Sequence, residues 1–306
     1  MMQGMGALER ATGLDELSVD QVKTLGRRRI WYLFALAKVL GAAPIRIFVA
    51  LDGERVVATA SVVLLPKAGY VMGVATDSGY RRRGIASSLL ELIHAYARDK
   101  GRPWTALDVE SDNEVAISVY RRLGYDARAR FGWYTGSPGP GASGPTAGAQ
   151  AVEGRRMGEV ASWVNRSRPM SVGAALPATN GRLSHLEVIT RLGGAPVKTW
   201  ALTAASGELE GVARATFVPT VRTAYVVPSA WKNGAGKEAL TSLFAPAMTW
   251  AQELGASRAV AVVPDRDELW RSVMAESGLT LSVSSTLMTR PQPSGASGSQ
   301  DAGFRV

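Results

Sequence analysis

The chain has 306 residues, a net charge of +9 (35 Lys and Arg against 26 Asp and Glu), 46% hydrophobic residues and no cysteine. That length accommodates two ordinary domains, and the composition is that of a globular protein. Without cysteine there is no disulfide framework, thiolate metal site or covalent thiol intermediate, and two distant histidines, His94 and His185, leave little for a zinc site or a Ser-His-Asp triad. No apolar run reaches the roughly 18–20 residues of a membrane span; the longest, Ile30 to Leu40, is broken by Lys38. The N-terminus lacks the basic-then-apolar order of a signal peptide, so a cytoplasmic protein with no membrane partner is expected. The positive charge lies in both halves and attracts phosphorylated cofactors, nucleic acid or acidic surfaces without choosing among them.

In chain order, Leu14 to Leu40 carries helical signals, with Pro44 beyond them. Arg46–Leu51 and Arg55–Leu65 read as strands joined by a turn at Asp52-Gly53. Tyr70–Thr76 is a third strand. Ile85–Asp99 is helical, with Ile85, Leu89, Leu92, Ile93 and Tyr96 as its apolar positions, and Gly101 ends it. His94 on this helix reads as a partly buried structural residue. Trp104–Val109 is a strand, Asp112–Leu123 a helix closed by Gly124, and Arg128–Tyr134 a final strand. Residues 136–150, GSPGPGASGPTAGAQ, read as a semi-flexible linker.

The second block repeats the order. Helices are expected at Gly158–Asn165 and Ser184–Leu192, then strands at Lys198–Ala204, Gly211–Val218 and Thr223–Val227. The turn Trp231-Lys232-Asn233-Gly234-Ala235-Gly236 leads into a helix at Lys237–Leu254. A strand at Arg258–Val263 and a helix at Asp267–Glu276 follow. Placing Gly234 on Gly84 brings the two blocks into register and points to an internal duplication. The tail from Gln292 onward is poor in apolar residues and reads as disordered. The domains are thus 1–135, a linker 136–150, 151–291 and a tail 292–306. The fold class is α/β (α+β), each domain a mixed, mostly antiparallel sheet flanked by helices.

The most informative segment is Val74-Ala75-Thr76-Asp77-Ser78-Gly79-Tyr80-Arg81-Arg82-Arg83-Gly84-Ile85-Ala86. A strand runs into a basic turn, and the turn opens a helix. The first N–H groups of a helix have no intrahelical partner, and with the helix dipole they bind phosphate. The turn lacks the Gly-Lys-Ser/Thr of a Walker loop and the three spaced glycines of a dinucleotide fingerprint. Beyond it comes Leu107-Asp108-Val109-Glu110-Ser111-Asp112-Asn113-Glu114, then Tyr120-Arg121-Arg122-Leu123-Gly124-Tyr125.

With both motifs in place, Val74 to Tyr125 resembles the acyl-CoA-binding core of the GNAT superfamily of N-acetyltransferases, particularly the branch that acetylates protein and peptide N-termini. The resemblance is specific over these residues, looser over the rest of the first block and topological in the second. It implies tandem GNAT-like domains and acetyl-CoA as acyl donor. It further implies that Val74, Ala75 and Thr76 pair their backbone with the pantetheine arm. Arg81, Arg82, Arg83, Gly84, Ile85, Ala86 and Ser87 would hold the pyrophosphate. Asn113 would contact the cofactor side, Tyr120 would act as general acid at the thioester sulfur, and Asp108 would face the acceptor amine.

The residue types agree with that chemistry. An amine attacks a thioester directly, so no protein nucleophile is needed; a base must take a proton and an acid meet the thiolate. Asp108 or Glu110 is expected as the base; both lie on one face of their strand, since side chains alternate. Each assignment has a structural rival. Tyr120 also reads as a core aromatic above Ala116, Asp108 and Glu110 as partners of neighbouring arginines, and Trp133 and Tyr134 as cleft or core residues. Glu114, three residues after Ser111, reads as a capping box. In the second block Trp231 takes the first arginine's place, Met274 the tyrosine's and an apolar residue near Val262 that of Asp108. A methionine donates no proton, so this half is expected to be a catalytically dead copy shaping the acceptor cleft.

The expected function is therefore N-acetyl transfer from acetyl-CoA to a primary amine by direct attack in a ternary complex, with no metal. The alternatives are a non-enzymatic acyl-CoA sensor or interaction module and, third, a nucleic-acid binder. The last is disfavoured because no recognition motif accompanies the arginines. At pH 7, deprotonating an α-amine costs about 1 kcal/mol and a lysine about 4–5, which ranks α-amines above lysine as acceptors.

Overall fold

The computed structural model describes residues 45–64, 68–139, 148–167 and 196–293. The helices expected at Leu14–Leu40 and Ser184–Leu192, His185, the middle of the linker and the tail beyond Pro293 lie outside them. A hairpin opens the described chain: β1 (Ile45–Asp52) and β2 (Arg55–Leu64) turn at Gly53, whose φ of 58° suits the left-handed region. Then come β3 (Ala68–Thr76), α1 (Ile85–Asp99), β4 (Trp104–Glu110), α2 (Glu114–Arg122) and β5 (Asp126–Gly136). The second half contributes β6 (Ala149–Ala151), α3 (Arg156–Ser167), β7 (Val197–Thr203), β8 (Leu209–Val218) and β9 (Thr223–Trp231). It ends with α4 (Lys237–Glu253), β10 (Arg258–Pro264), α5 (Glu268–Glu276) and β11 (Thr280–Pro291).

The helices form where the apolar spacing predicts. On α1 the buried stripe is Leu89, Leu90, Ile93, His94 and Ala97, at the spacing that keeps one helix face on the sheet. Leu92 falls off that stripe and is exposed. His94 is fully buried; its Nε2 meets the Tyr125 hydroxyl at 2.8 Å and its Nδ1 meets Glu91 at 3.2 Å. Burial holds its pKa below the ordinary value, and its role is structural as the sequence implies. The capping box at Ser111 does not form. Asn113 is the N-cap of α2 and accepts from the Ala116 N–H at 3.1 Å, while the Ser111 hydroxyl meets Thr286 Oγ1 at 2.9 Å.

Among the described residues, all eleven strands join one sheet, in the order β1-β2-β3-β4-β11-β5-β10-β9-β8-β7-β6. This order interleaves the two halves. The last strand of the second half, β11, lies between β4 and β5 of the first, antiparallel to both. In return, β5 pairs antiparallel with β10 of the second half. The second domain expected from the sequence runs to residue 291 with no element assigned after Asp267–Glu276, although Leu281, Val283 and Leu287 carry the period-two signal of a strand.

The exchange follows a repeated hydrogen-bond pattern. Ser111 N–H donates to Ser284 O at 2.9 Å, and Asp265 N–H donates to Arg130 O at 3.1 Å. Asn113 caps α2 through Ala116, and Asp267 caps α5 through Trp270, both at 3.1 Å. Asp108 pairs with Leu287 as Val262 pairs with Trp133. The helix-opening turns differ: the N-cap of α4 is Gly236, with extended backbone, and the left-handed glycine, Gly234, lies two residues earlier. In the first half one residue, Gly84, does both.

The junction is tightly built. A Cβ on Gly136, at the end of β5, would overlap the carbonyl oxygen of Gly278. Gly136→Ala therefore destabilises the protein by about 1–3 kcal/mol, measured by urea unfolding; a change below about 0.5 kcal/mol would show the junction to be loose.

Candidate active site

β3 and β4 run parallel but pair only from Ala68↔Trp104 to Tyr70↔Ala106. Beyond Tyr70 they diverge, while β3 stays on β2 and β4 stays on β11. The ladder to β2 shifts between Thr59 and Ser61, around Gly73 with φ 61°, and Thr59 Oγ1 donates to Gly73 O at 3.2 Å. The divergence leaves the backbone of Val74, Ala75 and Thr76 unpaired toward β4, an edge that an extended ligand can complete as an added strand.

At the far end of β3 the chain enters the basic turn. Asp77 fixes its start by accepting from Gly79 N–H at 3.0 Å and Arg55 at 2.7 Å. The Gly79 bond, more than Arg55, holds its pKa below the ordinary value. Tyr80 bonds Asp52 and carries Arg83 over its ring at 5.0 Å. Arg81 donates to Thr76 O at 3.3 Å. Arg82 adopts φ 61°, a conformation that costs a non-glycine residue of the order of 1 kcal/mol. Gly84 caps α1 at φ 76° without a side-chain bond, and open space lies where a Cβ would stand. No acidic residue occupies the first turn, and Ser88 is the first N–H to reach back, to Gly84 O at 3.0 Å. Ile85, Ala86 and Ser87 therefore present N–H groups that the helix does not use, beside three exposed arginines.

Between the diverging strands stands Asp108. Its Oδ1 accepts a hydrogen bond from the Tyr70 hydroxyl, and its Oδ2 is shut off from solvent with no hydrogen-bond partner. Burial raises its pKa, and the Tyr70 bond opposes that rise in part. Tyr70 is itself held well above the usual tyrosine value by burial and then by the Asp108 charge. Tyr120, on α2, is 8% exposed and stacks edge-on against Tyr125 at 5.9 Å. Burial, and next the Asp108 charge, push its hydroxyl up to about 12. Tyr120 is thus both a core aromatic and a neighbour of Asp108. The partner of Asp108 is a tyrosine rather than an arginine. Tyr70 was missed in the sequence because nothing local marks a strand tyrosine whose partner lies 38 residues on.

The remaining candidates divide. Glu110 shares the face of Asp108, 9% exposed and opposite Ser285. Asn113 spends its carbonyl on the cap, which leaves its amide N–H groups as donors to a ligand. Trp133 and Tyr134 are buried inside the sheet, and Trp133 Nε1 donates to Ser285 Oγ at 2.8 Å.

Residues 13–125 match the model of the Acetyltransferase (GNAT) family. That match lies wholly in the first half of the chain, which is similar to the GNAT acetyltransferases. Over 94 residues it is 34% identical to acetyltransferase SG1711 of Sodalis glossinidius, covering 31% of this chain and 57% of that protein. Over 57 residues it is 37% identical to N-alpha-acetyltransferase 30 of Schizosaccharomyces pombe, covering 19% of this chain and 38% of that protein. The chain thus spans less than two thirds of these relatives' lengths. In fold it is similar to a tandem GNAT protein from the clavulanic acid biosynthesis pathway, with TM-score 0.57 and 16% identity over 83% of this chain and 85% of that one. A GCN5-related N-acetyltransferase from Sphaerobacter thermophilus gives TM-score 0.54 and 13% identity, with 79% of each chain covered.

The second GNAT-like half has the same skeleton with other contents. Trp270 stands where α2 has Ala116, fully buried and edge-on to Trp231 at 5.2 Å. Met274 takes the place of Tyr120 and Val262 that of Asp108, both buried. Lys237 bonds Glu276, Lys232 pairs with Glu208 at 3.0 Å, and Glu238 puts negative charge in the first turn of α4. Negative charge there opposes phosphate binding.

A buried carboxylate with a raised pKa costs stability above the ordinary carboxylate range. That cost disappears as pH falls through the raised pKa toward the unfolded value. Asp108→Asn therefore raises the melting temperature at pH 7, and the gain fades below about pH 4. Equal melting temperatures at pH 7 would contradict a desolvated carboxylate.

Proposed function

We propose that the protein transfers an acetyl group from acetyl-CoA to a primary amine, with the first half active and the second a catalytically silent GNAT-like copy. The observation that carries this reading is the unpartnered, solvent-shielded oxygen of Asp108 near Tyr120, on a strand that β3 leaves beyond Tyr70. Asp108 takes the proton as the amine nitrogen attacks the thioester carbonyl. The C–N bond forms, the C–S bond breaks, and thiolate leaves. A carboxylate with raised pKa is a stronger base than an exposed one. Glu110 lies two residues along the same face and is the second candidate.

Magnitudes refine the part of Tyr120. A hydroxyl near 12 facing a thiol near 8.5 makes complete proton transfer uphill by about 5 kcal/mol. Tyr120 therefore serves chiefly as a hydrogen-bond donor to the leaving sulfur. The Asp108 charge is one cause of its high pKa. Protonation of Asp108 by the amine removes that charge, so Tyr120 becomes a better donor as the thiolate departs. Val74–Thr76 would pair with the pantetheine arm, and Arg81 to Ser87 would hold the pyrophosphate with Asn113 nearby. The match to an N-alpha-acetyltransferase supports α-amines of peptides or proteins as the first acceptors to try.

Tyr120→Phe lowers kcat by about 10–100-fold, the range for loss of one positioned proton donor, while acetyl-CoA affinity by calorimetry changes less than about threefold. Equal turnover in mutant and wild type would remove Tyr120 from the mechanism. Tyr70→Phe deprives Asp108 of its donor and raises its pKa, so the acidic limb of the kcat/KM profile moves to higher pH; a limb that stays or moves lower would contradict the Tyr70–Asp108 bond.

A further inference from the structure

One wall of the Asp108 site is built by the other half of the chain. In the β4–β11 ladder Leu287 stands directly opposite Asp108, and in the β11–β5 ladder it stands opposite Ala129. The three side chains form a row on one face, with cross-strand Cβ separations of about 4.5–5.5 Å. Leu287 is 3% exposed, inside an apolar cluster with Ala106, Phe131, Trp133, Val260 and Val262, against which Tyr70 also packs. The end of β4 is pinned to β11 twice, by Ser111 N–H to Ser284 O and by Ser111 Oγ with Thr286 Oγ1, both 2.9 Å. Because β3 has left β4 by this point, β11 is the strand that flanks Asp108.

We propose that Leu287, donated by the second half, is a positioning residue for Asp108, keeping its carboxylate dry and in place, so that both halves together form the catalytic unit. This rests on the reading of Asp108 as the base. It gives the silent half a part in the reaction without a cofactor site of its own. In the mirrored position of the exchange, Trp133 from the first half stands beside Val262, so the same strand insertion there flanks no carboxylate.

The groups facing Asp108 from its neighbours are Tyr70 on β3, Tyr120 on α2 and Glu110 on its own strand. The two tyrosines stay protonated at neutral pH. Burial is the main cause of the raised Asp108 pKa, and Leu287 supplies burial without a polar atom. A polar side chain there admits hydration and lowers the Asp108 pKa. Removal of Tyr70's hydroxyl raises it. General loosening of the sheet does not give opposite signs at two positions.

The test uses the full-length protein. In Leu287→Asn the acidic limb of kcat/KM moves to lower pH by about half a unit or more, with KM for acetyl-CoA within about twofold of wild type. Leu287→Met, apolar and of similar volume, leaves the limb in place. An unmoved limb in folded Leu287→Asn overturns the proposal. If no amine is acetylated even by the wild type, the proposed function fails. The Asp108 titration followed by carboxyl 13C NMR then still decides the positioning claim, a fall in Leu287→Asn upholding it and no change overturning it. If Leu287→Asn does not fold, the same titration in Leu287→Thr, with the same two outcomes, decides it. A protease site placed within residues 140–147 gives a second reading. After cutting, the halves co-migrate on gel filtration and unfold in one transition; separation overturns the shared unit.

Discussion

Shielding one part-buried carboxylate within a β-sheet is the constraint on which the first half of this protein turns. Removing Asp108 from water costs several kcal/mol unless its oxygens are bonded. Tyr70 satisfies one oxygen, and the other is shut off from solvent without a hydrogen-bond partner. An unsatisfied buried acceptor costs about 1–3 kcal/mol, and a fold selected only for stability would replace it. Its place near the buried Tyr120, where the two strands part, suits the proposed binding and proton-transfer site.

The surrounding architecture follows from two copies of one pattern sharing their last strands. Each copy caps its short helix with a carbonyl or carboxylate oxygen, ends it at a left-handed glycine and pins its central strand to a strand of the other copy. The copies differ where chemistry needs space and charge. The first keeps Ala116, Tyr120 and Asp108, a left-handed glycine at the cap and arginines in the turn. The second fills the same volume with Trp270 and Met274, pairs its lysines with glutamates and sets Glu238 at the helix start. Trp270 and Met274 are fully buried, and such apolar burial stabilises by about 25 cal/mol per Å².

Much of this was legible in the sequence. Local signals carried the elements from Arg46 to Glu276: the Asp52-Gly53 turn, the stripe on α1, the glycines at 101 and 124, and the order that marks the duplication. The basic turn and the Tyr120 spacing carried the resemblance to the GNAT acetyltransferases. The features that escaped are those set by long-range pairing. β11 alternates as a strand, but nothing local says that it leaves its own half and inserts between β4 and β5. Tyr70 has an ordinary strand environment until the fold brings Asp108 to it. Ser111 looked like a cap because its spacing to Glu114 is right; the fold gave its hydroxyl to Thr286 and passed the cap to Asn113. Gly234 matches Gly84 in its left-handed backbone, while the cap of α4 lies at Gly236.

The central claim is that the first half performs acetyl transfer, with Asp108 taking the amine proton. The most direct measurement is release of free CoA thiol from acetyl-CoA across a panel of α-amine peptides and small amines, with product mass measured in parallel. The account predicts one thiol released per acetylated amine for the wild type, and release lost in Asp108→Asn while acetyl-CoA still binds. Acetyl-CoA binding with no thiol release from any amine, or undiminished release in Asp108→Asn, would contradict it.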